Sequence, residues 1–168
     1  FSISWQTPYD DESLLQFVKS APYRGFIFFG QSQFHNALNQ LGGAHRPLVV
    51  WGVATEGPRY CSIGTDNFQG GFRATKHMIR IGRRRIAFMG PMPSIETART
   101  GLSQLAQRLD GYKAALESEG IAFDPTLIQT PASARFEGAD GIDNMLESGI
   151  AFNGVVAASD VVALSALP

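Results

Sequence analysis

Residues 61–90 read CSIGTDNFQGGFRATKHMIRIGRRRIAFMG, and this stretch decides the fold class. A short apolar run, Cys61 to Ile63, leads to the polar pair Asp66-Asn67. Gly70-Gly71 then opens a helical segment, which Gly82 closes just before Arg83-Arg84-Arg85. The next segment, Ile86-Ala87-Phe88-Met89, is apolar at every position. A strand with no polar face is buried on both sides, the habit of parallel sheets covered by crossover helices. Strand, helix and strand, with a loop of ligand-binding type at each junction, is an α/β building unit.

The alternation runs outward in both directions. Phe1 to Trp5 alternates apolar and polar residues and predicts a strand. Asp10-Asp11-Glu12 predicts a helix start, with the helix over 11–20, because an Asp side chain accepts from free amides and acids suit the positive helix end. Phe26-Ile27-Phe28-Phe29, framed by Gly25 and Gly30, reads as a buried central strand. Residues 33–42 read as a helix, and 47–52 as a strand whose first position, Pro47, tolerates the missing N–H. Beyond Arg83, strand 85–89 is followed by Leu102, Leu105, Leu109, Tyr112 and Leu116, an apolar stripe on one face of a helix that ends at Gly120. A strand over 126–129, a helix over 136–147 stopped by Gly149, and a strand over 154–158 complete the pattern. That last strand delivers Ser159-Asp160. No low-complexity linker or internal repeat interrupts it, and the change of lobe is expected at Gly82, giving parts 1–82 and 83–168.

Composition sets bounds on function. The chain has 168 residues, 44% of them apolar, so it can bury a core. A net charge of -1 supplies no excess of cations for a phosphate backbone, which makes this portion a poor candidate for touching DNA by itself. The single cysteine, Cys61, excludes an internal disulfide framework and suits a reducing compartment. No apolar run reaches the roughly 20 residues of a membrane span. The start inside an apolar segment and the end at Pro168 read as those of a piece of something longer.

Five segments in register carry a resemblance: Val49-Val50-Trp51-Gly52; Ser62 to Asn67 with Gly70-Gly71; Ile81 to Gly90; Arg108-Leu109-Asp110-Gly111-Tyr112; and Ala157-Ala158-Ser159-Asp160 through Leu164. Together they resemble the effector-binding core of the lactose-repressor (LacI/GalR) family of bacterial transcription regulators, over essentially the whole chain. The resemblance implies a periplasmic-binding-protein-like type I fold: two Rossmann-like α/β lobes with parallel sheets, both incomplete in this chain. It also implies a small molecule, usually a sugar, held between lobes 1–82 and 83–168, a homodimer, and cytoplasmic operator DNA binding through a helix-turn-helix domain that has no counterpart here.

The resemblance singles out four residues. Arg108 stands where the family's guanidinium reaches the ligand, and a planar fork of donors suits paired hydroxyls or a carboxylate; the competing reading is a solvated helix arginine. Ser159 and Asp160 follow a buried strand, at the carboxyl end where open α/β sheets place ligands. Family members often carry Asn-Asp here, so Ser159 reaches less far, and Asp160 serves the effector, caps the following helix, or both. Trp51 at a strand end offers a platform for a sugar ring or is simply packed. Asp66-Asn67 points at the ligand or caps the following helix, and the cap is the simpler reading. Residues 91–107 are longer than the usual family loop, which leaves Glu96 and Arg99 without an assigned role. Arg83-Arg84-Arg85 is read as a solvated cluster facing a negative helix end rather than a nucleic-acid site.

No catalytic constellation is legible. Gly64 to Gly71 does not spell a phosphate-cradling loop, no strand runs into G-x-G-x-x-G, and nothing places Asp66 and Asp160 across one scissile bond. His35, His45 and His77 lack metal-ligand spacing, and Cys61 lacks a partner. Neither enzyme activity, cofactor nor metal is expected. The rival to a regulator is a periplasmic sugar receptor of the same architecture, against which Ile81 to Ile86 has the regulator-like form.

Overall fold

The structure, a computed structural model, describes residues 3–30, 34–43, 47–53, 58–90, 103–130 and 138–167. The chain forms two compact units, Phe1–Thr65 and Asp66–Pro168. In this division α3 falls with the second unit, whereas the sequence reading places the change of lobe at Gly82. The reason is a helix contact: α3 (Asn67–Arg80) packs along α4 (Gln104–Glu117) of the second unit. Gly71 and Gly111 bring these helices into backbone contact. A Cβ on Gly71 would lie 2.8 Å from the Arg108 carbonyl carbon, and one on Gly111 2.7 Å from the Phe72 nitrogen, so neither site has room for a side chain.

In the first unit, α1 (Asp11–Ser20) begins where the acidic turn predicts. Asp10 accepts from the Ser13 N–H at 2.7 Å, and the Ser13 hydroxyl accepts from the Asp10 N–H in return. β1 (Phe26–Phe29), α2 (His35–Gly43), β2 (Leu48–Trp51) and β3 (Cys61–Ile63) follow. The strands form one parallel sheet in the order β1-β2-β3, with Phe28 opposite Val50 and Val50 opposite Ser62. Leu14 and Val18 of α1, Ala37, Leu38 and Leu41 of α2, and Leu48 and Val50 bury one face.

Two expectations fail in this unit. Residues 3–5, the described part of the expected Phe1–Trp5 strand, are not a strand, because β1 pairs only with β2 and the alternating segment finds no ladder among the described residues. Among the described residues β1 is an edge strand, exposed on alternate positions, rather than a central strand buried on both sides. Ile27 and Phe29 are 68% and 63% exposed, on a sheet face that no described element covers. Phe29 there stacks between Trp5 and Trp51, at centroid distances of 5.7 and 6.1 Å.

The second unit is a three-layer α/β sandwich. After α3 come β4 (Ile86–Met89), α4, a 3-10 turn (Pro125–Leu127), β5 (Ile128–Gln129), α5 (Gly138–Glu147), β6 (Gly154–Ala157) and α6 (Asp160–Ser165). The parallel strand order β5-β4-β6 puts β4 at the centre. Every residue of β4 is buried, as its apolar sequence requires. Ile86 and Phe88 pack toward Ile79 of α3 and Leu109, Tyr112 and Leu116 of α4. Ala87 packs on the other face with Leu127 and Met145. Tyr112 donates its hydroxyl to the Ile86 carbonyl at 2.8 Å, and burial, helped by Asp124, pushes its pKa up to about 12.

Arg83, Arg84 and Arg85 are exposed, and Arg85 braces loops at the amino end of β4. Its Nε donates to the Ala151 carbonyl at 2.7 Å and its Nη2 to Asp124 at 3.3 Å. No helix among the described residues is long and apolar enough to cross a membrane.

Candidate functional site

The carboxyl ends of β4 and β6 in the second unit gather three chain segments. The ladder continues one step past β6, where the Ala158 N–H donates to the Met89 carbonyl at 2.7 Å. Gly90 packs against the Ala158 side chain. The chain then turns at Ser159, whose extended backbone and hydroxyl form the N-cap of α6. The Ser159 Oγ accepts from the Val162 N–H at 3.3 Å. Capping therefore falls to Ser159. Asp160 is the first helical residue, exposed, with its carboxylate accepting, among the described residues, from the adjacent Val161 N–H at 3.0 Å.

Arg108 arrives from α4, slightly more than one turn after the Ser103 cap, whose hydroxyl accepts from the Ala106 N–H at 3.2 Å. Its Nε donates to Asn67 Oδ1 at 2.9 Å, and its Nη1 donates to the Ala158 carbonyl. One guanidinium thus ties the start of α3 to the segment between β6 and α6. Nη2 has no hydrogen-bond partner among the described residues, so both its N–H groups remain to be offered. Arg108 is half-buried and not the solvated helix arginine of the competing reading.

Arg108, Ser159 and Asp160 come together in one unit, Arg108 through its bond to the carbonyl just before Ser159. Trp51 stands in the first unit at the end of β2, 59% exposed and stacked on Phe29. Glu96 and Arg99 lie outside the described residues. Asp66 is the cap of α3, accepting from the Gln69 N–H at 2.9 Å. Its neighbour Asn67 is 3% exposed and holds Arg108 instead. A signal for that second role existed in the sequence: once Asp66 caps the helix, a further amide beside it has other work to do. Among the described residues no three His, Cys, Asp or Glu side chains converge as a metal site would require.

A family model described as periplasmic binding proteins and sugar binding domain of LacI family matches residues 24–167. The chain belongs to this family. Among curated LacI-type relatives, the HTH-type transcriptional regulator RegA of Clostridium saccharobutylicum is 32% identical, over 94% of this chain and 46% of its own length. The HTH-type transcriptional regulator AscG of Escherichia coli is 37% identical, over 77% and 37%. The crystal structure of the Escherichia coli transcriptional repressor ascG superposes with a TM-score of 0.74 at 26% identity, covering 94% of this chain and 56% of that one. A transcriptional regulator CelR–cellobiose complex superposes with a TM-score of 0.67 at 25% identity, covering 93% and 46%. The chain spans about half the length of these relatives or less. The LacI-family, periplasmic-binding-protein-like α/β fold with parallel sheets is thereby shown, and the relatives are regulators of transcription rather than enzymes.

Proposed function

We propose that this chain is the effector-sensing core of a LacI-type transcription regulator, binding a small molecule, a sugar, to control operator DNA binding. The observation that carries this reading is Arg108: held by Asn67 and the Ala158 carbonyl, it keeps both Nη2 donors available at the carboxyl ends of β4 and β6. A planar donor fork bonded to the carbonyl one residue before Ser159, in a segment that continues to the exposed Asp160, suits vicinal hydroxyls, for which donors and acceptors are both needed. In this reading Trp51 supplies an apolar surface for the sugar ring. The sugar favours one conformation of the core over another, and that differential affinity changes how a DNA-binding domain outside this chain engages its operator. The protein works as a homodimer in the cytoplasm. A periplasmic receptor would use the same fold, but the relatives named as HTH-type regulators favour the regulator.

The test is a thermal-shift screen of the full-length protein against mono- and disaccharides, starting with cellobiose, the sugar in the CelR complex. A true effector at about 100 times its Kd stabilises by about 2.7 kcal/mol. In Arg108→Ala the loss of charge-assisted hydrogen bonds should weaken that sugar by about 10- to 100-fold. No shift with any sugar, or an unchanged affinity in Arg108→Ala, overturns the reading.

A further inference from the structure

We propose that Asn67 is the positioning residue for Arg108: it fixes the guanidinium through Nε, and so decides which of the arginine's donors are left for the effector, without touching the effector itself. The inference rests on the effector reading of Arg108 and deepens it. An arginine side chain has several freely rotating bonds, and each must be frozen when a ligand is bound, at a cost in affinity. Here much of that freezing is done beforehand.

Three features do it together. Gly71 and Gly111 put α3 and α4 in backbone contact, with the Arg108 carbonyl against Gly71. That closeness brings the first residue of α3, Asn67, within 2.9 Å of Arg108 Nε. The Ala158 carbonyl takes Nη1 from the other side. With Nε and Nη1 anchored on two different elements, the guanidinium plane is fixed and Nη2 is the group left to present. Asn67 is 3% exposed and Arg108 half-buried, so the bond between them is partly shielded from solvent, which strengthens it. The N-cap bond at this helix start is made by Asp66. A side chain whose oxygen meets a cation rather than its own helix end is placed to orient that cation.

The experiment has two readouts on the full-length protein. The first needs no sugar: in ¹⁵N-labelled protein the Arg108 Nε–H resonance should be protected from exchange in the wild type. It should be lost to fast exchange in Asn67→Ala and kept in Asn67→Asp, which preserves the acceptor oxygen. The second is a double-mutant cycle on the affinity of whichever panel sugar stabilises the wild type. Asn67→Ala should weaken it about 10-fold, and should have no further effect once Arg108 is alanine. A protected Nε–H in Asn67→Ala overturns the positioning role. So does an affinity loss that persists undiminished in the Arg108→Ala background, since that is a structural effect. An Nε–H lost in Asn67→Ala while Arg108→Ala binds the sugar normally overturns instead the effector role of Arg108.

Discussion

The contact between α3 and α4 makes a sharp prediction from two neighbouring glycines. Gly70 and Gly71 are consecutive residues of one helix, and both carry the same penalty for helix formation relative to alanine, about 1 kcal/mol. Their surroundings differ completely. A Cβ on Gly70 would meet nothing within 4 Å, whereas one on Gly71 would sit 2.8 Å from the Arg108 carbonyl carbon and 3.0 Å from its Cα. Ordinary carbon contacts lie near 3.5–4.0 Å, so the helices must separate by the order of an ångström. The obstacle is backbone, and no rotamer change relieves it. Overpacking of this kind costs about 1–3 kcal/mol, and a rigid wall belongs at the upper end. After the gain in helix propensity, Gly71→Ala should be destabilised by about 2 kcal/mol, while Gly70→Ala should be stabilised by up to about 1 kcal/mol. Urea unfolding of the full-length protein followed by circular dichroism reads both. With a slope of about 1–3 kcal/mol/M, the two midpoints should move in opposite directions and differ by about 1 M or more. A Gly71→Ala protein as stable as the wild type would refute the backbone contact and, with it, the geometry that brings Asn67 to Arg108.

Two further outcomes follow from side chains beneath and beside the site. Tyr112 has its pKa raised from 10.0 to about 12 by burial, so its contribution to stability is complete below pH 10 and is lost as pH rises through about 12. Urea midpoints should therefore fall along that alkaline limb. Tyr112→Phe, about 1–2 kcal/mol less stable at neutral pH because the Ile86 carbonyl loses its donor, should show a shallower decline. Asp66→Ala removes the acceptor for the Gln69 N–H and should cost about 1 kcal/mol in the same urea assay; an unchanged midpoint would mean the cap contributes nothing.

Local chemistry carried much of the fold to the surface of the sequence. The Ile86–Met89 strand announced its double burial by having no polar position, and the structure buries all four residues. Gly82, Gly120 and Gly149 end helical segments at φ values of 85°, 65° and 66°, which side-chain-bearing residues adopt rarely, so those stops were readable too. What stayed hidden depends on partners distant in sequence. The alternation of Phe1 to Trp5 matches a strand, but a strand needs a ladder, and the pattern does not say whether one is there. Phe26–Phe29 has the composition of a central strand, yet its place at the edge follows from strand order. The placing of α3 with the second unit and the task of Asn67 both depend on Gly71 meeting the Arg108 backbone and Gly111 meeting that of Phe68 and Phe72, contacts between distant segments that no local periodicity encodes. At the site, Arg108 came from the family register and Ser159 from its place after a strand. The division of labour between Ser159 as cap and Asp160 as exposed carboxylate became visible only in the backbone angles and hydrogen bonds.

The Trp5–Phe29–Trp51 stack has an optical consequence. Trp5 and Trp51 are the chain's two tryptophans, and both lean on the same ring of one sheet face, 76% and 59% exposed. Nearly all of the intrinsic emission near 350 nm therefore originates from a single spot on the first unit. Fluorescence from this chain reports the wetting of that spot, and a blue shift marks the moment it is covered.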